Sequence, residues 1–132
     1  MVCLYCGYKT KITNSRKQAG TASTWRRHQC LDCGAIFTTR EIIDLESALR
    51  VQAPDGLRPF IRDRLFVSIH LSVSHRKTAL NDSKELTDTI IKQLLPLQSN
   101  GVLQINHIIK TTQLVLSNFD AIAAAVYGAR HS

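Results

Sequence analysis

Cys3-Leu4-Tyr5-Cys6-Gly7 and Cys30-Leu31-Asp32-Cys33-Gly34 are two copies of one pattern, and they decide the fold of the first part of the chain. Each is a C-x-x-C followed at once by glycine, and 23 residues separate Cys6 from Cys30. A C-x-x-C turn brings two sulfurs close enough to share a metal, and the glycine after it supplies the positive φ that so tight a turn needs. Two such turns offer four thiolates, which makes a closed tetrahedral zinc site with no open position for catalysis. Two disulfides, or cysteines buried as small apolar side chains, are the bland alternatives. They fit poorly, because the two knuckles use all four cysteines of the chain.

Outward from the knuckles, the 132 residues suffice for a small metal-held module and one compact partner. After Cys33 the chain must fold on hydrophobic burial alone. Met1-Val2-Cys3 begins no signal-like apolar stretch, and no run of roughly 18 apolar residues follows, so a reducing, cytoplasmic setting is expected. The net charge is +7, or about +5 once four thiolates surround one zinc dication. Its placement matters more. Lys9, Lys11, Arg16, Lys17, Arg26, Arg27 and Arg40 face a single acid, Asp32, within residues 1–40, whereas the rest of the chain is nearly balanced. The positive charge belongs to the metal module, where it points to a partner carrying phosphates.

Around the knuckles, residues 1–44 read as short strands. Gln18-Ala19-Gly20 forms the turn, Thr21 to Trp25 the β-prone approach, and Ala35 to Arg40 the returning arm. Residues 45–132 read as a mostly helical domain with a small hairpin in front. A connector over 41–50 leads to a turn at Pro54-Asp55-Gly56. Ile61, Leu65, Ile69 and Val73 then recur every four residues on an amphipathic helix. Asp82 or Ser83 is placed as the N-cap of a helix striped with Leu86, Ile90, Ile91, Leu94 and Leu95, and Asn106 as the cap of a third with Ile108, Ile109, Val115 and Leu116. Asn118 or Asp120 opens the last helix, and Gly128 closes it. The fold class is α+β.

With sulfur in all four positions, the metal replaces the core that so short a module cannot build; it activates no water. On a strand, Trp25 and Arg27 share one face and Arg26 and His28 the other, with Arg16 and Arg40 brought in through the hairpin. Arginine forks suit phosphates and guanine edges, and an indole stacks or wedges. One such residue alone would be a solvated charge or a core plug. Seven cations against one acid favour nucleic acid, with His28 expected at the surface of this arm. Phosphate-cradling glycine loops, nucleophile elbows and paired carboxylates are absent, so no enzyme is expected.

Cys3-x-x-Cys6, Asn14-Ser15-Arg16 and Trp25-Arg26-Arg27-His28-Gln29-Cys30 through Phe37-Thr38-Thr39-Arg40-Glu41 resemble the NrdR family of bacterial repressors of ribonucleotide reductase genes. That resemblance implies a zinc ribbon followed by an ATP-cone, with duplex DNA bound by Arg16, Trp25, Arg26, Arg27 and Arg40. Asn14 stands where the family pattern has aspartate, and Ile36 where it has arginine. The resemblance places nucleotide contacts, for ATP or dATP, at Val51, Asp55, Gly56 and Arg64. Ala53-Pro54 replaces a Lys-Arg pair there, and Arg64 replaces a lysine, which keeps charge but changes geometry. A divergent sensor and a domain kept for oligomerisation are both open, and the missing cations favour the second. The expected protein is a zinc-dependent, homo-oligomeric DNA-binding repressor, self-associating through helices 84–95 and 106–116. An RNA- or ribosome-associated ribbon and a nucleotide-binding subunit docking on an enzyme are the alternatives.

Overall fold

The computed structural model describes residues 1–19 and 23–131. Gly20 of the expected turn, with Thr21 and Ala22 of the expected approach, lies outside them. The chain divides into two compact units, Met1–Asp44 and Leu45–Ser132.

In the first unit β1 (Thr10–Lys17), β2 (Thr24–Cys30) and β3 (Ile36–Glu41) form an antiparallel sheet in the order β1-β2-β3. Thr10 pairs with Cys30 and Ile12 with His28, but Asn14, not Thr13, stands opposite Arg27. Thr13 is therefore the extra residue of a β-bulge, and its hydroxyl donates to the Arg27 carbonyl (3.4 Å). The bulge reverses which β1 residues share a face with β2. With unbroken pairing Arg16 would lie opposite Thr24; with the bulge it lies opposite Trp25. Alternation then sorts the sheet into two faces. Lys11, Asn14, Arg16, Trp25, Arg27, Gln29, Ile36, Thr38 and Arg40 share one; Ser15, Arg26, His28, Phe37, Thr39 and Glu41 share the other.

The second unit begins with a one-turn helix α1 (Leu45–Ala48) and a hairpin of β4 (Arg50–Ala53) and β5 (Gly56–Pro59), turning at Pro54-Asp55 as expected. Helices α2 (Arg62–Val73) and α3 (Ala79–Leu94) follow, then a 3₁₀ turn at Leu95–Leu97, strand β6 (Val102–Gln104), α4 (Ile105–Phe119) and α5 (Ala121–Arg130). The spacing of apolar residues places the core: Leu65, Ile69 and Val73 of α2 meet Leu86, Ile90, Ile91 and Leu94 of α3, Leu116 of α4 and Tyr127 of α5. Val51 and Leu103 close this core from the sheet.

Several local expectations need correction. Strand β6 pairs parallel to β4 and makes a three-stranded sheet, β5-β4-β6, where a hairpin alone was expected; three residues are too few to show a period. Helix α3 starts at Ala79, ahead of Asp82 and Ser83. The Asp82 carboxylate is taken by Thr78 (2.7 Å) and Arg76 (2.9 Å), and the Ser83 hydroxyl donates back to the Ala79 carbonyl. Asn106 does not cap α4, because β6 runs straight into the helix and extended Gln104 takes the cap position. Asp120 does cap α5, accepting from the amides of Ile122 and Ala123. Gly128 lies inside α5, which continues to Arg130, and a β-carbon there would make ordinary contact, 3.4 Å, with the Gln113 side chain of α4. The apolar stripes of α3 and α4 are consumed by the unit's own core, so they are not faces for self-association. The apolar side chains left exposed on α4 and α5 include Leu114, Phe119, Ile122 and Val126.

A polar joint ties the α2–α3 loop to the α4–α5 corner. Asp120 accepts from His75 (3.1 Å), from the Ala123 amide (3.1 Å) and from Arg76 (2.9 Å), and these donors hold its carboxyl well below the usual range. Thr78 and Arg76 lower Asp82 likewise. Because both carboxyls are depressed in the folded state, their stabilisation is fully present above the unfolded value of about 4 and drains as pH falls below it. The expected result is a melting temperature that declines below about pH 4. The Asp120→Asn variant, followed by circular dichroism, flattens that acid limb; an unchanged limb would remove Asp120 from the joint.

Candidate metal centre and cationic sheet face

The two knuckles meet at one end of the sheet. The Cys3 and Cys33 sulfurs lie 3.8 Å apart, Cys6 and Cys30 lie 3.4 Å apart, and all four fall within 4.8 Å of one another. A tetrahedron with Zn–S bonds of about 2.3 Å has edges of roughly 3.8 Å, so the donor set fits a zinc ion. Gly7 (φ 78°) and Gly34 (φ 74°) take the left-handed conformation their turns require. The Tyr5 amide points at the Cys3 sulfur, and those of Asp32 and Cys33 at Cys30, each at 3.4 Å. Burial works against the Cys30 thiolate, yet the Asp32 and Cys33 amides hold its thiol down to about 6. The Tyr8 amide draws Cys6 down, but sharing a proton with Cys30 leaves it pushed up to about 12. Binding a metal therefore expels protons, and acid weakens it. No fifth position is open, and the centre is structural.

His28 is not the surface residue expected. It is 5% exposed, with Nδ1 3.3 Å from the Thr10 hydroxyl and Nε2 2.8 Å from that of Thr39, and its ring stacks on Phe37. Together with Cys30, this side of the sheet supplies what little core the ribbon has. No periodic signal marked it, because a histidine two residues before a cysteine reads equally well as a solvated cation.

Arg26 lies on the same side as His28 and is tied to Glu41 at 2.8 Å. The opposite face gathers Lys11, Arg16, Arg27 and Arg40, whereas Lys17, opposite Thr24, alternates to the Arg26 side. Arg16 and Arg40 flank Trp25 as its cross-strand partners, and with Lys17 and Gln18 they line an open cleft of about 300 Å³. The Arg27 guanidinium lies over the indole, 5.4 Å from its centroid. Lys11 stands further along the same face. Among the described residues, this face carries no carboxylate.

The four residues marked for nucleotide do not form one group. Val51 and Arg64 line a cavity of about 100 Å³, with Arg58, Phe60, Ser68, Tyr127 and His131 around it. Asp55 and Gly56 sit at the hairpin turn and do not line it. Arg58 and His131 were not marked by the sequence; they reach the cavity from β5 and from beyond α5.

A four-cysteine knuckle pair closing a three-stranded sheet defines a zinc ribbon. Residues 1–41 match the family model described as the N-terminal domain of NrdR-like transcriptional repressors. A transcriptional repressor NrdR of Sphingopyxis alaskensis is 33% identical over 96% of this chain and 84% of its own length. The chain belongs to the NrdR family. Similar proteins of the same name in Petrotoga mobilis (34%) and Symbiobacterium thermophilum (29%) align over 71% of this chain but only 63% of their own lengths.

Proposed function

We propose that this chain is a zinc-dependent transcriptional repressor whose ribbon binds duplex DNA through the face carrying Arg16, Trp25, Arg27 and Arg40. The observation that carries this is the sorting of charge. The bulged register collects cations without an ion-pair partner around Trp25 and leaves Arg26, the one arginine of the ribbon paired with an acid among the described residues, with Glu41 on the other side. A face about 10 Å across, two strand spacings, suits the roughly 12 Å major groove. Family membership supports operators upstream of ribonucleotide reductase genes, and a site of action in the bacterial cytoplasm. No helix among the described residues is long and apolar enough to cross a membrane.

The second unit serves self-association. A cavity of about 100 Å³ is smaller than the roughly 300 Å³ at which small-molecule sites begin, and Ala53-Pro54 offers no charge to a triphosphate. One small ribbon covers too little DNA for an operator, so two or more copies act together. Competition of duplex DNA against structured RNA at fixed salt tests the assignment. The expected result is preference for duplex DNA; preference for RNA would make this an RNA-associated ribbon.

A further inference from the structure

Asn14 is a neutral amide in the middle row of a cationic face, on its edge strand β1. It stands opposite Arg27 in the register, it is exposed, and no hydrogen bond engages its side chain among the described residues. The bulge at Thr13 puts it there, beside the Arg27 that leans on Trp25. Its neighbours divide by chemistry. Arg16 and Arg40 sit on the outer strands at the end of the face, in the cleft with Lys17, where charge without base information suffices. Asn14, on the same outer strand as Arg16, makes the next row of the face with Arg27 on the central strand and Thr38 on the other edge.

We propose that Asn14 is a specificity-determining residue of the ribbon, reading an adenine edge in the major groove next to the base contacted by Arg27. An asparagine amide matches adenine N6 and N7 with one donor and one acceptor, a pair that no other single base presents in that groove. Its neutrality has a second consequence. A carboxylate at this position would stand across from Arg27 and engage its guanidinium, whereas the amide leaves Arg27 free for DNA. Arg16 and Arg40 seat phosphates and carry no sequence information.

The inference rests on the DNA-binding reading of this face, and its test separates the two. The zinc-loaded full chain is used to select bound sequences from a random duplex pool, in parallel with Asn14→Ala, Asn14→Asp and Arg40→Ala. The wild type is expected to enrich a motif containing a fixed A·T pair. In Asn14→Ala, discrimination at that pair falls about tenfold or more, while the slope of log affinity on log salt stays the same, because an amide releases no counterion. Arg40→Ala keeps the motif, weakens all sequences alike and lowers the slope by about one. Asn14→Asp binds more weakly than Asn14→Ala. An unchanged motif and discrimination in Asn14→Ala, with normal zinc content, would overturn the role of Asn14 alone. Failure of the wild type to bind any duplex would overturn both readings.

Discussion

Replacing Arg16, Arg27 and Arg40 together by alanine is expected to weaken DNA binding by at least about 10³-fold near physiological salt, at one zinc per chain. Each removed contact is worth about 1–3 kcal/mol if made to a base edge, and each lost phosphate contact lowers the salt dependence by about one. All three side chains are exposed on the sheet face, and none is in an ion pair among the described residues, so the ribbon should fold without them. Arg26→Ala supplies the contrast. Its guanidinium engages Glu41 on the face that carries His28, and an exposed pair of this kind contributes about 0–1 kcal/mol. The Arg26 variant should therefore bind DNA within about fivefold of the wild type. Equal losses from Arg26→Ala and Arg27→Ala would mean that the sheet faces do not divide the labour. Titrations followed by fluorescence anisotropy at several salt concentrations give both affinity and slope.

Zinc removal carries the second large effect. The ribbon buries Cys3, His28 and Cys30 and little else, whereas the hydrophobic core of the chain is drawn wholly from Leu49 to Tyr127. A structural zinc site contributes on the order of 10–16 kcal/mol of apparent binding free energy at neutral pH, which is folding free energy for so small a module. Chelation, or Cys30→Ser, should abolish the order of residues 1–44 and all DNA affinity. The helices of residues 45–132 should keep their circular-dichroism signal and their melting transition. Parallel loss of both units would contradict the independence of the second core. Retention of DNA binding by the metal-free chain would contradict the structural role of the metal.

Much of this was legible in the sequence because it depended on local spacing. The C-x-x-C-G knuckles fix a metal site through bonds within a few residues, and the four-residue recurrence from Ile61 to Val73 fixes a helix face. What was not legible depended on partners far away in the chain. Strand alternation already set Arg26 and Arg27 on opposite faces, but the pairing of Arg26 with Glu41 depends on a residue of another strand. Which face turns to the core was decided by Thr10, Thr39 and Phe37 closing over His28, none of which marks itself as a core residue. The bulge at Thr13 carries no glycine or other signature, although it sets the face of Asn14 and Arg16. Strand β6 exists because three residues before α4 find β4 beside them. The scatter of Val51 and Arg64 away from Asp55 and Gly56 likewise appears only once the hairpin is folded.

The central claim is that one face of the ribbon sheet meets DNA. Amide and side-chain NMR resonances of the zinc-loaded chain, followed during titration with a selected duplex, test it most directly. Shifts should concentrate on Lys11, Asn14, Arg16, the Trp25 indole, Arg27, Thr38 and Arg40, and leave Arg26, His28, Thr39 and Glu41 nearly unmoved. Shifts centred on Arg26 and Glu41, or on residues 45–132 with the ribbon silent, would contradict the account.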